Sequence, residues 1–125
     1  MRSWRSVHRE YDRLRRRYYL DAEDPLRVPP PAAEVRWAWI APRSCDMART
    51  HFDPEGDPHL ILVPHDAADR VLTLLLLHEL SHIRNPGRPN DPRSTGARCL
   101  PADAWWRAEA RRLAAADAFT RERVF

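Results

Sequence analysis

A single small α+β domain is predicted from three patterns in the sequence. Apolar residues recur every three or four positions over residues 1–20, and alternation broken by turn residues runs through 35–63. Within a helix expected over 66–84, the apolar run Val71–Leu77 leads directly into His78-Glu79-Leu80-Ser81-His82. With 125 residues the chain has room for one modest core. The expected order is helix, strand, hairpin, helix and, after a loop, a last helix, with about three strands in the sheet.

In the first helix, residues 1–20, Trp4, Val7, Tyr11, Leu14 and Tyr18 fall on one stripe. The opposite face is basic. Residues 1–17 hold seven Arg against Glu10 and Asp12, a local balance of +5, whereas the whole chain balances at +3. Arg2, Arg5, Arg9, Arg13 and Arg16 could follow the phosphates of a nucleic acid. The plainer reading is a core-covering helix with a solvated Arg face. It is preferred, because every basic side chain is Arg and the abundant Ala and Pro suggest a GC-rich genome.

Pro29-Pro30-Pro31 reads as a stiff connector. Val35 to Ile40 alternates, with Val35, Trp37 and Trp39 on one face, as a half-buried strand should. Met47–Phe52 and His59–Val63 flank Asp53-Pro54-Glu55-Gly56-Asp57-Pro58 and read as a hairpin with a longer turn. Pro64 closes the last strand. Asp66 is the expected N-cap of the next helix, 66–84, with Asp69 completing a capping box, and Asn85-Pro86-Gly87 ends it. Residues 85–100 are rich in Pro, Gly, Arg and Asn and are expected to form a flexible loop, and a last helix follows over 101–123.

The chemistry is concentrated in the motif helix. Positions i and i+4 share a face one turn apart, so His78 and His82 can reach one Zn²⁺. Glu79 points about 100° away around the helix, poorly placed as a ligand and well placed as a base toward metal-bound water. The apolar residues cover most of the helix circumference, which predicts burial and a cost for unpaired polar groups. The alternative is an exposed last turn in which these residues meet water.

A catalytic zinc site usually takes three protein ligands. Glu109 lies in the middle of the last helix's stripe of Trp105, Trp106, Leu113, Ala116 and Val124, where a carboxylate must be paired or metal-bound. It is the preferred third ligand. An Arg from another element, such as the first helix, is the alternative partner. Asp103, Asp117, Cys99, His51, His59 and His65 are further ligand candidates.

The hairpin Thr50–Val63 running into His78-Glu79-Leu80-Ser81-His82 resembles the core of a minimal zincin metallopeptidase. That resemblance implies a short sheet lying over the motif helix. Glu109-Ala110-Arg111-Arg112-Leu113-Ala114 is similar to the E-A-x-x-F-A stretch of ImmA/IrrE-like proteins, with Leu113 for Phe. There the Glu is the third zinc ligand, as in gluzincins, which carries over to Glu109. Small SprT-like zincins are the close competitor, and Trp105-Trp106 resembles their aromatic pair. They use a downstream His, and none occurs after His82. A metzincin pattern fails, since it would need Gly at Asn85 and His at Arg88. The first likeness would imply cleavage of a repressor, the second proteolysis near DNA.

A zinc-dependent endopeptidase is therefore expected, with Zn²⁺ on His78, His82 and Glu109 and with Glu79 as general base. Tyr18, Tyr19, His51 or an Arg could assist as an electrophile. Strand 47–52 could be an edge on which a peptide substrate adds. The alternative is a catalytically silent, zinc-stabilised module binding a partner protein or nucleic acid through the first helix. The loop 85–100 could also cover the cleft until a partner moves it. The apolar run Val71–Leu77 is too short to span a bilayer and no secretory signal is visible, so a cytoplasmic protein with reduced Cys45 and Cys99 is expected.

Overall fold

The computed structural model describes residues 3–21, 28–40, 48–53, 57–85 and 104–124, with side chains from residue 106 onward in the last stretch. Helix α1 (Trp4–Tyr18) starts at Ser3, whose hydroxyl accepts from the Ser6 N–H at 3.2 Å. Arg15, Arg16 and Arg17 in its last turn complement the helix dipole. Val7, Tyr11, Leu14 and Tyr18 are buried, as their three-and-four spacing predicts. The Tyr11 hydroxyl donates to the Pro30 carbonyl, and the Asp12 carboxylate accepts from the Ala32 N–H. These bonds seat the proline connector against α1 before a short 3₁₀ turn, Ala32–Glu34, leads into the sheet.

Strands β1 (Arg36–Ile40), β2 (Arg49–Phe52) and β3 (Pro58–Pro64) form one mixed sheet in the order β1-β3-β2. β3 is central, parallel to β1 and antiparallel to its hairpin partner β2. The two prolines lie at the ends of β3, where a missing N–H disturbs the ladder least. The hairpin turn closes through the Asp53 N–H to the Asp57 carbonyl and the Asp57 N–H to Asp53 Oδ1.

Register decides which residues face the helices. Trp37 and Thr50 both pair with Ile61, and Trp39 pairs with Val63, so these five share one face. Ile61 and Val63 are fully buried there. Trp4 of α1 stacks on Trp39 with ring centroids 3.7 Å apart, and Tyr11 meets Trp37 edge-on.

Helix α2 (Asp69–Arg84) lies on that same face and carries the largest share of the core through Leu72, Leu76, Leu77, Leu80 and Ile83. The expected cap at Asp66 does not form. His65 and Asp66 make the turn out of β3, and two further residues are used before the helix begins, so Ala68 occupies the N-cap without a side-chain bond. Asp69 then stands in the first turn, where its charge meets the positive end of the helix dipole. The Tyr19 hydroxyl, just beyond α1, donates to the Leu77 carbonyl at 2.7 Å and lies 2.8 Å from Ser81 Oγ, joining α1 to the motif turn.

The last helix, expected as one piece over 101–123, is two: α3 (Ala104–Ala115) and α4 (Ala118–Arg121). The break falls at Asp117, which adopts a left-handed conformation (φ 58°) that Asp tolerates better than most residues. One consequence is that Ala116, assigned to the apolar stripe, is exposed, while Leu113, Ala118 and Val124 enter the core. Glu122 then returns to α1, accepting from Tyr18 Oη at 2.8 Å and Arg13 Nη1 at 3.0 Å. Burial pushes this carboxyl up, but the Arg13 and Tyr18 hydrogen bonds and the Arg13 and Arg17 charges outweigh it and hold it below its ordinary value. Among the described residues no helix is long and apolar enough to cross a membrane.

Leu76 is fully buried in the core cluster. Leu76→Ala is expected to cost about 2–5 kcal/mol of stability, measured by urea unfolding followed by circular dichroism. A loss below about 1 kcal/mol would place Leu76 outside the core.

Candidate functional site

The apolar run forces the motif turns inward. Glu79, Ser81, His82 and Asn85 are all buried, so the exposed-last-turn alternative does not hold. His78 and His82 sit on successive turns of α2, with ring centroids 4.8 Å apart and planes nearly perpendicular. Trp106 of α3 closes over His78, its ring centroid 4.5 Å away. Burial lowers the His78 imidazole to about pKa 4, which keeps it in the neutral form that ligates metals.

Glu79 is 3% exposed and points toward the sheet. Thr50 Oγ1 on β2 donates to its Oε2 at 2.6 Å. Burial pushes the Glu79 carboxyl up to about 7, and the Thr50 bond and the Arg49 charge hold it back from going further. A carboxyl poised near neutrality beside two imidazoles is what proton transfer at such a site needs.

Glu109 is buried on α3, and its carboxylate is well supplied with donors. Oε2 accepts from Asn85 Nδ2 at 3.0 Å, while Oε1 accepts from Arg112 Nε at 2.6 Å and has Arg84 Nε at 3.6 Å. The guanidinium partners therefore come from its own helix and from the motif helix, not from α1. Arg112 also donates to the Tyr18 carbonyl and lies over the Tyr19 ring, its carbon 4.9 Å from the centroid. Asn85, the C-cap of α2, bonds the Ser81 carbonyl through the same amide that holds Glu109.

Among the described residues, no three His, Cys, Asp or Glu side chains are already drawn into a metal-holding group. The donors nonetheless suit zinc in kind. Two imidazoles share a helix face, and a buried carboxylate lies across the helix end, with one hydrogen bond on its Oε2 among the described residues. Ligating carboxylates are themselves normally hydrogen-bonded, as this one is by Asn85 and Arg112.

The remaining candidates separate clearly. Cys45, Cys99, Asp103 and the 86–100 loop lie outside the described residues, as do Met47 and Arg2. His51 and His59 are exposed, His65 packs edge-on to Trp39, and Asp117 is taken up in the break between α3 and α4. The Tyr18 and Tyr19 hydroxyls are engaged with Glu122 and with the motif turn. On α1, Arg13 binds Glu10 and Glu122 and Arg15 binds the Pro29 carbonyl, whereas Arg5, Arg9 and Arg16 stay exposed.

Three further residues, Thr50, Asn85 and Arg112, support the site without being assigned to it from sequence. Thr50 is an ordinary strand residue until register turns it toward α2. In sequence Asn85 marks the helix stop, and its bond to Glu109 appears only when α3 packs on the end of α2. Arg112 alone was legible in principle, three residues after Glu109 on one helix face. Comparison with protein-family models, curated proteins and solved structures returns no match, so the chain's own geometry carries the functional argument.

Because burial raises Glu79 from 4.5 to about 7, its stabilising contribution is full below the first value and is lost as pH rises through the second. In chelator-treated protein, the stability of Glu79→Gln relative to wild type is expected to rise between about pH 4.5 and about pH 7 and to be flat outside that window. Urea midpoints across that range measure this. A difference independent of pH would put the carboxylate in water.

Proposed function

We propose that this chain is a zinc-dependent metalloendopeptidase of minimal zincin type. The observation that carries the reading is the burial of Glu79 between two turns bearing His78 and His82, with a single strand hydroxyl holding one carboxylate oxygen. A core that needed only packing would gain nothing from a carboxyl there, since burying a polar group costs stability that a hydrogen bond at best offsets.

In this reading His78, His82 and Glu109 hold the zinc. Bound zinc supplies a water acidified towards neutrality and a positive charge against the developing oxyanion. Glu79 accepts a proton at its carboxylate and returns it to the leaving amine. Asn85 and Arg112 keep Glu109 at the end of α2, and Trp106 packs edge-on against His78. Zinc capture by Glu109 requires its carboxylate to share or exchange the Arg112 and Arg84 contacts. An extended peptide would add to β2, the sheet edge beyond β3.

The test is metal content and cleavage on the same preparations. Wild type is expected to bind one zinc per chain. His78→Ala and His82→Ala should lose it, and Glu109→Ala should bind it much more weakly or not at all. Zinc-loaded wild type should cut members of a proteome-derived peptide library read by mass spectrometry, and Glu79→Gln should keep zinc while cutting none. Zinc-loaded wild type that leaves the library intact would instead favour a silent zinc-stabilised binding module. Zinc undiminished in Glu109→Ala would move the third ligand elsewhere.

A further inference from the structure

The peptidase reading leaves open what aims the general base. A glutamate has three side-chain torsions, and the last is broad and roughly two-fold. Glu79 therefore needs an external group to select one carboxylate orientation. Among the described residues the hydrogen bond that does so comes from Thr50 Oγ1, 2.6 Å from Oε2. Both residues are buried, so water does not compete for the contact.

Thr50 suits that task for two reasons. It is β-branched, so its first torsion is restricted, and its backbone is pinned by pairing with Ile61 of the central strand. Its strand is also the sheet edge on which an extended peptide would add. One strand would then hold both the substrate backbone and the oxygen of the base, tying their separation to strand geometry.

We propose that Thr50 is the positioning residue of the general base, holding Glu79 Oε2 so that Oε1 is the atom that takes and returns the proton. The proton passes from water to Oε1 and from Oε1 to the leaving amine, while Thr50 donates to Oε2 throughout. The role rests on the peptidase reading above. Positions near the reacting atoms are sensitive in this way, since a misplacement of about 1 Å can cost on the order of a hundredfold in rate.

Thr50→Val keeps the shape and removes the donor, and Thr50→Ser restores it. With the library peptide that wild type cuts fastest, zinc-loaded Thr50→Val is expected to lose about 10–100-fold in kcat. Its KM should stay within about twofold and its zinc content should be unchanged, while Thr50→Ser recovers most of the rate. In chelated protein, a double-mutant cycle of Thr50→Val with Glu79→Met should show coupling on the order of tenfold in the unfolding equilibrium. Thr50→Val cutting as fast as wild type, a loss that serine does not rescue, or an additive cycle would each overturn the role. If zinc-loaded wild type cuts no peptide, the peptidase reading falls and this role falls with it, whatever the cycle reads.

Discussion

Burying a carboxylate, an imidazole, a hydroxyl and an amide on the last turns of one helix costs about 1–3 kcal/mol or more for each group left without a partner. The elements around α2 are arranged as sources of those partners. Strand β2 brings Thr50 to Glu79, the end of α1 brings Tyr19 to Leu77 and Ser81, and α3 brings Trp106 to His78 and Glu109 to Asn85. Among the described residues Thr50 supplies the hydrogen bond to Glu79, while the Ser81 hydroxyl and the Asn85 amide are tied both within α2 and to a neighbouring element. Polar satisfaction and tertiary packing are here a single requirement.

That requirement explains why so small a sheet suffices. Three short strands offer one covered face, and α1 and α2 fill it together. The aromatic cluster of Trp4, His8, Tyr11, Trp37 and Trp39 locks α1 to β1, so the tyrosine that follows α1 reaches the motif turn at a fixed place. The C-terminal elements are held at two charged points, Glu109 near the end of α2 and Glu122 on α1. Several α1 arginines thus act inside the fold. Their density near the N-terminus is a weaker indicator of a nucleic-acid partner than a count from sequence suggests.

Glu109 illustrates how one residue can satisfy two readings. Its burial on the apolar stripe was legible from the helical spacing of Trp106 and Leu113. Which partner answers that burial was not, because Arg84 and Asn85 lie more than 20 residues earlier and meet it only when α3 packs on the end of α2. In the proposed ligand role the same carboxylate would keep hydrogen bonds to its neighbours and give up part of its ion pairing.

The sequence by itself determined the elements and their order, because periodicity and turn chemistry act over a few residues. The buried stripe of α1, the hairpin, the apolar motif helix and its stop at Asn85 all follow from local spacing. Local rules erred where geometry between elements intervened. The helix began three residues after Asp66 because the chain needed those residues to leave β3, and the last helix broke at Asp117 where the chain turns back toward α1. Only the tertiary structure decided the strand order β1-β3-β2, the orientation of Thr50 toward Glu79 and the company kept by Glu109. These depend on register and helix packing, which are set by contacts between residues far apart in the chain and leave no pattern within a short window of it.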